Sequence, residues 1–158
     1  MSKADEFDEG EFDGEDEFDE DEFEEQNQRI AAVLGEADVE VSRKSLKKYL
    51  GYLKQQVERP CQLTGLEDFL WEEFYVIGPG SKKEYQELKK TRPSYTDTFE
   101  LLGFVDEIDE NTGLLVRARR TSDNKEFTLE LDYLKTIDEN SKNYQLLDDY
   151  TVWFVNHR

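Results

Sequence analysis

Hydrophobic residues recur at helical spacing over residues 42–57. This spacing predicts a helix that buries one face and begins after Ser42, a good N-cap residue. Pro60 follows the end of the pattern and cannot continue a helix. The predicted buried positions are Leu46, Tyr49, Leu50, Leu53 and Val57. The opposite face is basic and carries no acid between Arg43, Lys44, Lys47, Lys48 and Lys54.

The segment from 37 to 97 gives mixed signals. Residues 37–41 (ADVEV) alternate and predict a short strand or an extended lead-in. Residues 69–77 (FLWEEFYVI) are aromatic and β-branched, which favours a strand. Ser81 with Glu84 is a capping-box pattern, so a second helix is predicted to run to about Thr91.

From residue 98 the pattern favours strands separated by turns. The predicted strands are 98–108, 114–121, 126–131 and 151–155. Residues 132–149 are predicted to be a loop with a short helix. The fold class is therefore α+β: one or more N-terminal helices with a small SH3-like antiparallel β-barrel or curved sheet. Trp153, in the last strand, and Cys61 are predicted to lie in the core.

Charge divides the 158 residues unevenly. Residues 1–36 hold 16 Asp and Glu against only Lys3 and Arg29, a net charge of −14, whereas residues 37–158 carry −5 of the total −19. Such a charged stretch cannot bury enough apolar surface to offset the entropy of ordering it. We expect a disordered acidic tail over 1–28, a linker or short helical turn over 29–36, and a single globular domain over 37–158.

The acidic tail contains a repeat. Phe7, Phe12, Phe18 and Phe23 each follow a Glu and precede an acid, at spacings of five, six and five that match neither helix nor strand. Aromatic residues in an acidic chain are typical of short interaction motifs. The tail could bind a basic protein, mimic nucleic acid, or fold back on the basic face of 42–57. It could equally be a spacer whose Phe residues are incidental.

Composition excludes several classes of function. No apolar run is long enough to span a membrane, and the acidic N-terminus is not a secretory signal. Cys61 is the only cysteine and His157 the only histidine, so a usual zinc site and His-based catalysis are disfavoured. We expect a cytoplasmic protein that is not an enzyme. Its charge would repel membranes and duplex DNA, so no membrane or direct nucleic-acid partner is expected.

What remains is oxygen-ligand chemistry for a hard cation. Carboxylates fall in or beside predicted turns, and calcium prefers six to eight such oxygens. The nearest approach to an EF-hand loop is Asp109-x-Asn111-x-Gly113, which lacks the remaining ligands. Each cluster could also be a solvated turn, where Asp and Asn are common. The candidate ligands are Asp38, Glu67, Asp68, Glu72, Glu73, Asp106 and Asp109.

The order of landmarks resembles the cyanobacterial CcbP-type calcium-binding proteins. The matching pieces are residues 49–53 (YLGYL), 60–61 (PC), 131–134 (LDYL), 138–139 (DE) and 147–153 (LDDYTVW). The resemblance covers most of 37–158. Residues 62–100 look like an insertion or a divergent segment, and the acidic tail has no counterpart that we can place.

The resemblance implies a calcium ion held outside any EF-hand, with an acid before the first helix that falls at Asp38. It also implies calcium buffering or sensing inside the cell. The sequence therefore predicts a small, acidic, intracellular, non-EF-hand calcium-binding protein. The alternative is a protein-interaction module without a metal, whose acidic Phe-repeat tail binds a basic partner or mimics nucleic acid.

Overall fold

A computed structural model describes residues 19–158. Within these residues the helices are α1 (Glu20–Leu34), α2 (Arg43–Gln56), α3 (Glu73–Val76), α4 (Lys82–Leu88) and α5 (Lys142–His157). The strands are β1 (Gln62–Gly65), β2 (Thr98–Phe104), β3 (Leu115–Arg120), β4 (Glu126–Glu130) and β5 (Leu134–Thr136). Short 3₁₀ turns occupy Glu36–Asp38, Leu70–Glu72 and Leu131–Tyr133. No helix in this part of the chain is long and apolar enough to cross a membrane.

The five strands form one antiparallel sheet in the order β4-β3-β2-β1-β5. Leu63 of β1 lies opposite Phe99 of β2 on one side and Thr136 of β5 on the other. A register shift between Leu101 and Gly103 interrupts the β2–β3 pairing, as a bulge does. The predicted α+β class is confirmed. The sheet is open, with β4 and β5 as its edges, so the barrel alternative does not form.

Helix α1 differs from the sequence prediction. The sequence predicts a disordered tail over residues 19–28 and a linker or short helical turn over 29–36, but Glu20–Leu34 forms one helix of 15 residues. The acids in the first turn stabilise the helix because their negative charges lie at the positive end of the helix dipole. The Asp19 side chain also accepts hydrogen bonds from the backbone N–H groups of Asp21 and Glu22 and so caps the helix. The C-terminal half buries Ile30 and Leu34 in the core. The rest of the predicted tail, including Phe7, Phe12 and Phe18, lies outside the described residues.

A buried carboxylate ties α1 to α5. Asp149 accepts two hydrogen bonds from the Arg29 guanidinium, at 2.8 and 3.0 Å, and one from Gln26. Asp149 is 5% exposed, so its charge is compensated by an arginine fork rather than by water. This ion pair fixes α1 along α5.

Helix α5 replaces the predicted final strand. Leu146, Leu147, Tyr150, Trp153 and Phe154 are all buried, and their spacing is helical. The sequence prediction divided this pattern at residue 149 and assigned its second half to a strand. Trp153 nevertheless lies in the core, as predicted, at 0% exposure.

For the other elements, some predictions are confirmed and others are wrong. Helices α2 and α4 begin after the predicted N-caps Ser42 and Ser81, and β2, β3 and β4 lie within their predicted ranges. Cys61 is buried, as expected. Residues 69–77 are not a strand but a 3₁₀ turn followed by α3, and residues 37–41 are not a strand. Strands β1 and β5 were not predicted.

Arg120 is a buried cation that joins β3 to the loops beside it. It is 3% exposed, donates two hydrogen bonds to Asp123 and one to Asp97, and packs over the Phe127 ring. The hydrogen bond from Arg120 lowers the pKa of Asp123 to about 2. The same guanidinium caps the backbone carbonyls of Lys89, Lys90 and Arg92.

Replacing Arg120 by leucine should cost about 3 kcal/mol in the free energy of unfolding, because the loss of one partner of a buried pair strands the others. Urea unfolding at neutral pH measures it. The matched control is Arg119→Leu, which removes a half-exposed ion pair with Glu100 and should cost less than about 1 kcal/mol. Equal losses of unfolding free energy in the two variants would contradict the role of Arg120 as a buried, stabilising cation.

The low pKa of Asp123 adds a pH signature. A depressed folded-state pKa stabilises the fold above the ordinary carboxyl pKa near 4, and this contribution disappears as pH falls toward about 2. Arg120→Leu should flatten that acid limb of the stability curve.

Candidate metal centre

Glu72 is the buried centre of the 69–95 region. Its side chain is 0% exposed. Oε1 accepts hydrogen bonds from the hydroxyls of Tyr85 (2.7 Å) and Ser94 (2.6 Å), and Oε2 accepts from the backbone N–H groups of Tyr95 (2.9 Å) and Phe69 (3.1 Å). Both oxygens are therefore engaged by the fold. The geometry therefore gives Glu72 a structural role, and its role as a calcium ligand stays a prediction.

The neighbouring predicted ligands point elsewhere. Glu67 and Glu73 are exposed, and Asp68 is half-buried. Because Glu72 faces the interior, these four carboxylates do not share one side of their segment. Glu67, Asp68 and Glu73 stay predictions as calcium ligands.

The other predicted ligands lie in the β2–β3 connection and in the turn before α2. Exposed Asp106 forms an ion pair with Lys54 of α2. Asp109 accepts a 2.8 Å hydrogen bond from the Asn111 backbone N–H, the local bond that Asp commonly makes in turns. The side chain of Asp38 lies outside what the structure describes, although its backbone belongs to the 3₁₀ turn at Glu36–Asp38.

No preformed metal site exists in the described part of the chain. Among residues 19–158, no group of three or more His, Cys, Asp or Glu side chains is already arranged to hold a metal ion. The predicted ligands therefore do not converge as they stand. A bound cation would require local rearrangement.

Two carboxylates that the sequence analysis missed, Glu130 and Asp132, lie where β4 ends. Burial raises the pKa of Asp132, and Arg158 opposes that rise. Burial also raises the pKa of Glu130, and the charges of Asp132 and Asp109 raise it further, again against Arg158. The charges of Asp109 and Asp132 thus both act on the Glu130 carboxylate. We call these three residues the acidic triad.

Asp132 carries an orphan acceptor. The residue is 9% exposed, and its Oδ1 atom is buried without a hydrogen-bond partner in the structure. An unpaired buried carboxylate oxygen costs free energy of folding, and a proton, a water molecule or a cation bound to it would offset that cost. The phenol of Tyr150 lies close enough that Asp132 and Glu130 raise its pKa, although burial is the larger cause.

The turn that carries Asp109 is held firmly beside the other two acids. Gly113 has φ of +72°, and a side chain there would meet the Tyr150 hydroxyl at 2.5 Å, so the site admits only glycine without rearrangement. The Tyr150 hydroxyl in turn accepts a hydrogen bond from Leu114 N–H at 2.8 Å. Helix α5 therefore fixes the position of the 109–113 turn and of Asp109 within it.

An open groove lies along the 109–113 turn. It has a volume of about 340 Å³ and is lined by Val41, Glu110, Asn111 and Arg158. Arg158 is the cation that lowers the pKa of both Glu130 and Asp132, and its guanidinium packs over the Phe154 ring. The side chain of Asn111 in this groove carries an amide oxygen, a ligand of the kind that calcium accepts.

The sequence held only a weak signal for this place. Asp109 stands in a predicted turn. Glu130 falls in a predicted strand and Asp132 at the start of a predicted loop, and polar residues in such places are normally solvated. Their burial results from the packing of α5 against the Leu131–Tyr133 turn, which a local pattern does not reveal.

Comparisons with solved structures bear on the fold. The chain is similar to the crystal structure of Anabaena CcbP, with a TM-score of 0.51 and 16% identity over 82% of this chain and 89% of that one. A structure described as a calcium-binding protein in the calcium-binding form is matched with a TM-score of 0.49 and 17% identity, over 84% of this chain and 90% of that one. No protein-family model and no curated protein sequence matches. The resemblance expected from the sequence is confirmed as a distant likeness in fold.

The structural role of Glu72 predicts a specific loss on amidation. Glu72→Gln would set an NH₂ group against hydroxyl or backbone N–H donors, so the free energy of unfolding should fall by roughly 2 kcal/mol or more. Thermal or urea unfolding measures this. Glu73→Gln is the matched control on exposed surface and should change stability by less than about 0.5 kcal/mol. A Glu72→Gln variant as stable as the control would show that the four hydrogen bonds are unimportant.

Proposed function

We propose that this chain binds calcium through the acidic triad. The observation that carries the proposal is the unpaired, buried Oδ1 of Asp132 near Glu130. Burial raises the pKa of both acids, and the negative charges of Asp132 and Asp109 raise the pKa of Glu130 further. A divalent cation would relieve both penalties together. The resemblance of the sequence to CcbP-type calcium-binding proteins motivates calcium as the ion, and the distant fold likeness to Anabaena CcbP agrees with that resemblance.

The donor set suits a hard cation. Carboxylate oxygens from three residues, with Asn111 and nearby backbone carbonyls or water, match the oxygen ligands that calcium takes. Histidine and cysteine ligands, which softer transition metals prefer, are not part of the triad. Arg158 already supplies part of the countercharge. Calcium binding would therefore involve movement of this last residue, which stands at the end of α5.

We further propose that calcium binding, not catalysis, is the activity, and that it serves buffering or sensing in the cytoplasm. The two roles differ in conformational response. A sensor changes shape on binding, whereas a buffer changes little. Near-ultraviolet circular dichroism reports on the packing of Trp153 and its neighbours, so a calcium-dependent change would favour sensing and an unchanged spectrum would favour buffering.

Calorimetric titration of the full chain at physiological salt tests the site. We expect saturable calcium binding that Asp132→Asn weakens by about tenfold or more, equivalent to about 1.4 kcal/mol. Glu73→Gln is the control and should leave the affinity unchanged, which separates the triad from the ligands predicted by sequence. Because both variants retain the acidic residues 1–18, nonspecific binding there cancels. No binding heat at millimolar calcium, or equal affinity in Asp132→Asn, would overturn the proposal.

The raised pKa values give the proposal a pH dependence. Acids with raised folded-state pKa values destabilise the fold progressively as pH climbs above the ordinary carboxyl pKa near 4. Protons and calcium compete for the same oxygens, so calcium should raise the melting temperature most at neutral pH and progressively less as the pH is lowered toward 4. Asp132→Asn without calcium should be more stable than the parent at neutral pH and not at pH 4. A calcium effect independent of pH would contradict the triad as the site.

A further inference from the structure

The solvent side of α2 is basic and carries no acid of its own. We define the α2 basic face as Lys44, Lys47, Lys48, Gly51, Lys54 and Gln55, all of which are exposed. Helix α2 contains no Asp or Glu, so nothing within the helix neutralises these lysines. Lys48 also donates to the Leu34 carbonyl at the end of α1, which places α1 beside this face.

Gly51 lies at the centre of the face and has no packing explanation. A Cβ built on it would meet nothing within 4 Å, and Gly51 is not among the glycines with positive φ. Glycine in a helix interior costs about 1 kcal/mol relative to alanine. The exposed backbone leaves a flat spot between lysines where another chain can approach closely.

An apolar groove continues the face at its C-terminal end. It has a volume of about 160 Å³, with Val57, Leu101 and Phe104 as its apolar lining and Lys54 and Arg59 at its rim. Lys54 also pairs with Asp106, but both side chains are largely exposed, and such pairs exchange at little cost. The groove therefore offers apolar contact with cations at its edge.

We propose that residues 1–18 of the same chain dock on the α2 basic face. This segment carries nine Asp and Glu residues against one Lys, and its three phenylalanines each stand directly between two acids. Acid–Phe–acid triplets complement a surface of lysines around a bare backbone and an apolar groove. The carboxylates meet the lysines, while a Phe ring covers Gly51 or enters the groove.

The start of α1 places the segment within reach. Asp19 lines a surface groove with Gln145 near the start of α5. Two residues earlier on α5, Asn143 exchanges two hydrogen bonds with the backbone of Glu58, which directly follows Val57 of the apolar groove. Asp19 therefore lies toward the C-terminal end of α2, about one helix width away, which is roughly 10 Å.

The length of the segment matches the face. Seven residues separate Phe12 from Asp19 and twelve separate Phe7 from it, which span up to roughly 23 and 40 Å when extended. Helix α2 is about 21 Å long, from its 14 residues. A segment leaving Asp19 can therefore run back along the whole face. Tethering gives an effective concentration near the millimolar range, so individually weak ion pairs suffice for docking within one chain.

Paramagnetic relaxation NMR on the full chain tests the docking. A nitroxide attached at Gly10→Cys, with buried Cys61 left unlabelled, should broaden the amides of residues 47–54 and those of Leu101 and Phe104. Broadening should decrease strongly at about 1 M salt, where the screening length is about 3 Å. No broadening at low salt would overturn the proposal.

Two variants separate docking from folding. Gly51→Gln fills the flat spot and also raises helix propensity, so the fold should persist while broadening of the face falls several-fold. Lys47→Glu with Lys54→Glu should do the same by charge reversal. The matched control is Lys82→Glu with Lys83→Glu on α4, which should leave the broadening unchanged. Broadening that survives both face variants would contradict the proposal.

A mixed sample identifies the occupant. Chains that carry the nitroxide but no ¹⁵N are mixed with ¹⁵N chains that carry no nitroxide. Only contacts between molecules can then broaden the observed signals. Docking within one chain predicts no broadening in the mixture. Suppose instead that the mixture shows as much broadening as the sample in which each chain carries both the nitroxide and ¹⁵N. A second copy would then supply the acidic segment, and the proposal would be overturned.

Discussion

The aromatic side chains on the buried face of α5 connect the parts of this fold that matter for its chemistry. Trp153 stacks on Tyr49 of α2 with 5.1 Å between ring centroids, and its indole N–H donates to the Val39 carbonyl. Tyr150 packs against Tyr49 at 5.3 Å and holds the backbone of Leu114. One helix thereby positions α2, the 36–41 connection and the 109–113 turn. Removing these contacts would release both proposed functional regions together.

The acidic triad follows from that arrangement. Helix α5 covers the Leu131–Tyr133 turn, so Asp132 loses contact with solvent, and Arg158 is set beside the same acids. The charges of Asp132 and Asp109 then lie within range of Glu130. Glu130 and Asp132 are therefore held in an environment that raises the pKa of both carboxyls. A folded protein tolerates such a penalty where a ligand offsets it, and this is why burial, rather than the total charge of −19, points to the site.

The local hydrophobic pattern predicts an element correctly where one uninterrupted segment carries the whole repeat. Helix α2, with its cap Ser42 and its stripe from Leu46 to Leu53, was predicted almost to the residue. The errors arose where tertiary packing decides the outcome. Residues 151–155 have strand-like composition but complete the helical stripe of α5, and residues 69–77 turn because Glu72 binds four donors brought in from 69, 85, 94 and 95. Of the acidic triad, only Asp109 was predicted, because its turn is local, whereas the burial of Glu130 and Asp132 depends on a distant helix.

The account is tested most directly by observing the two missed acids individually. Carboxyl ¹³C chemical shifts of Glu130 and Asp132, followed as a function of pH by NMR, give the pKa of each group with and without calcium. We expect both pKa values to lie above the ordinary carboxyl range in the calcium-free chain and to fall when calcium is added, because the cation favours the ionised forms. Titration curves that are unchanged by millimolar calcium would contradict the assignment of these residues as the calcium site.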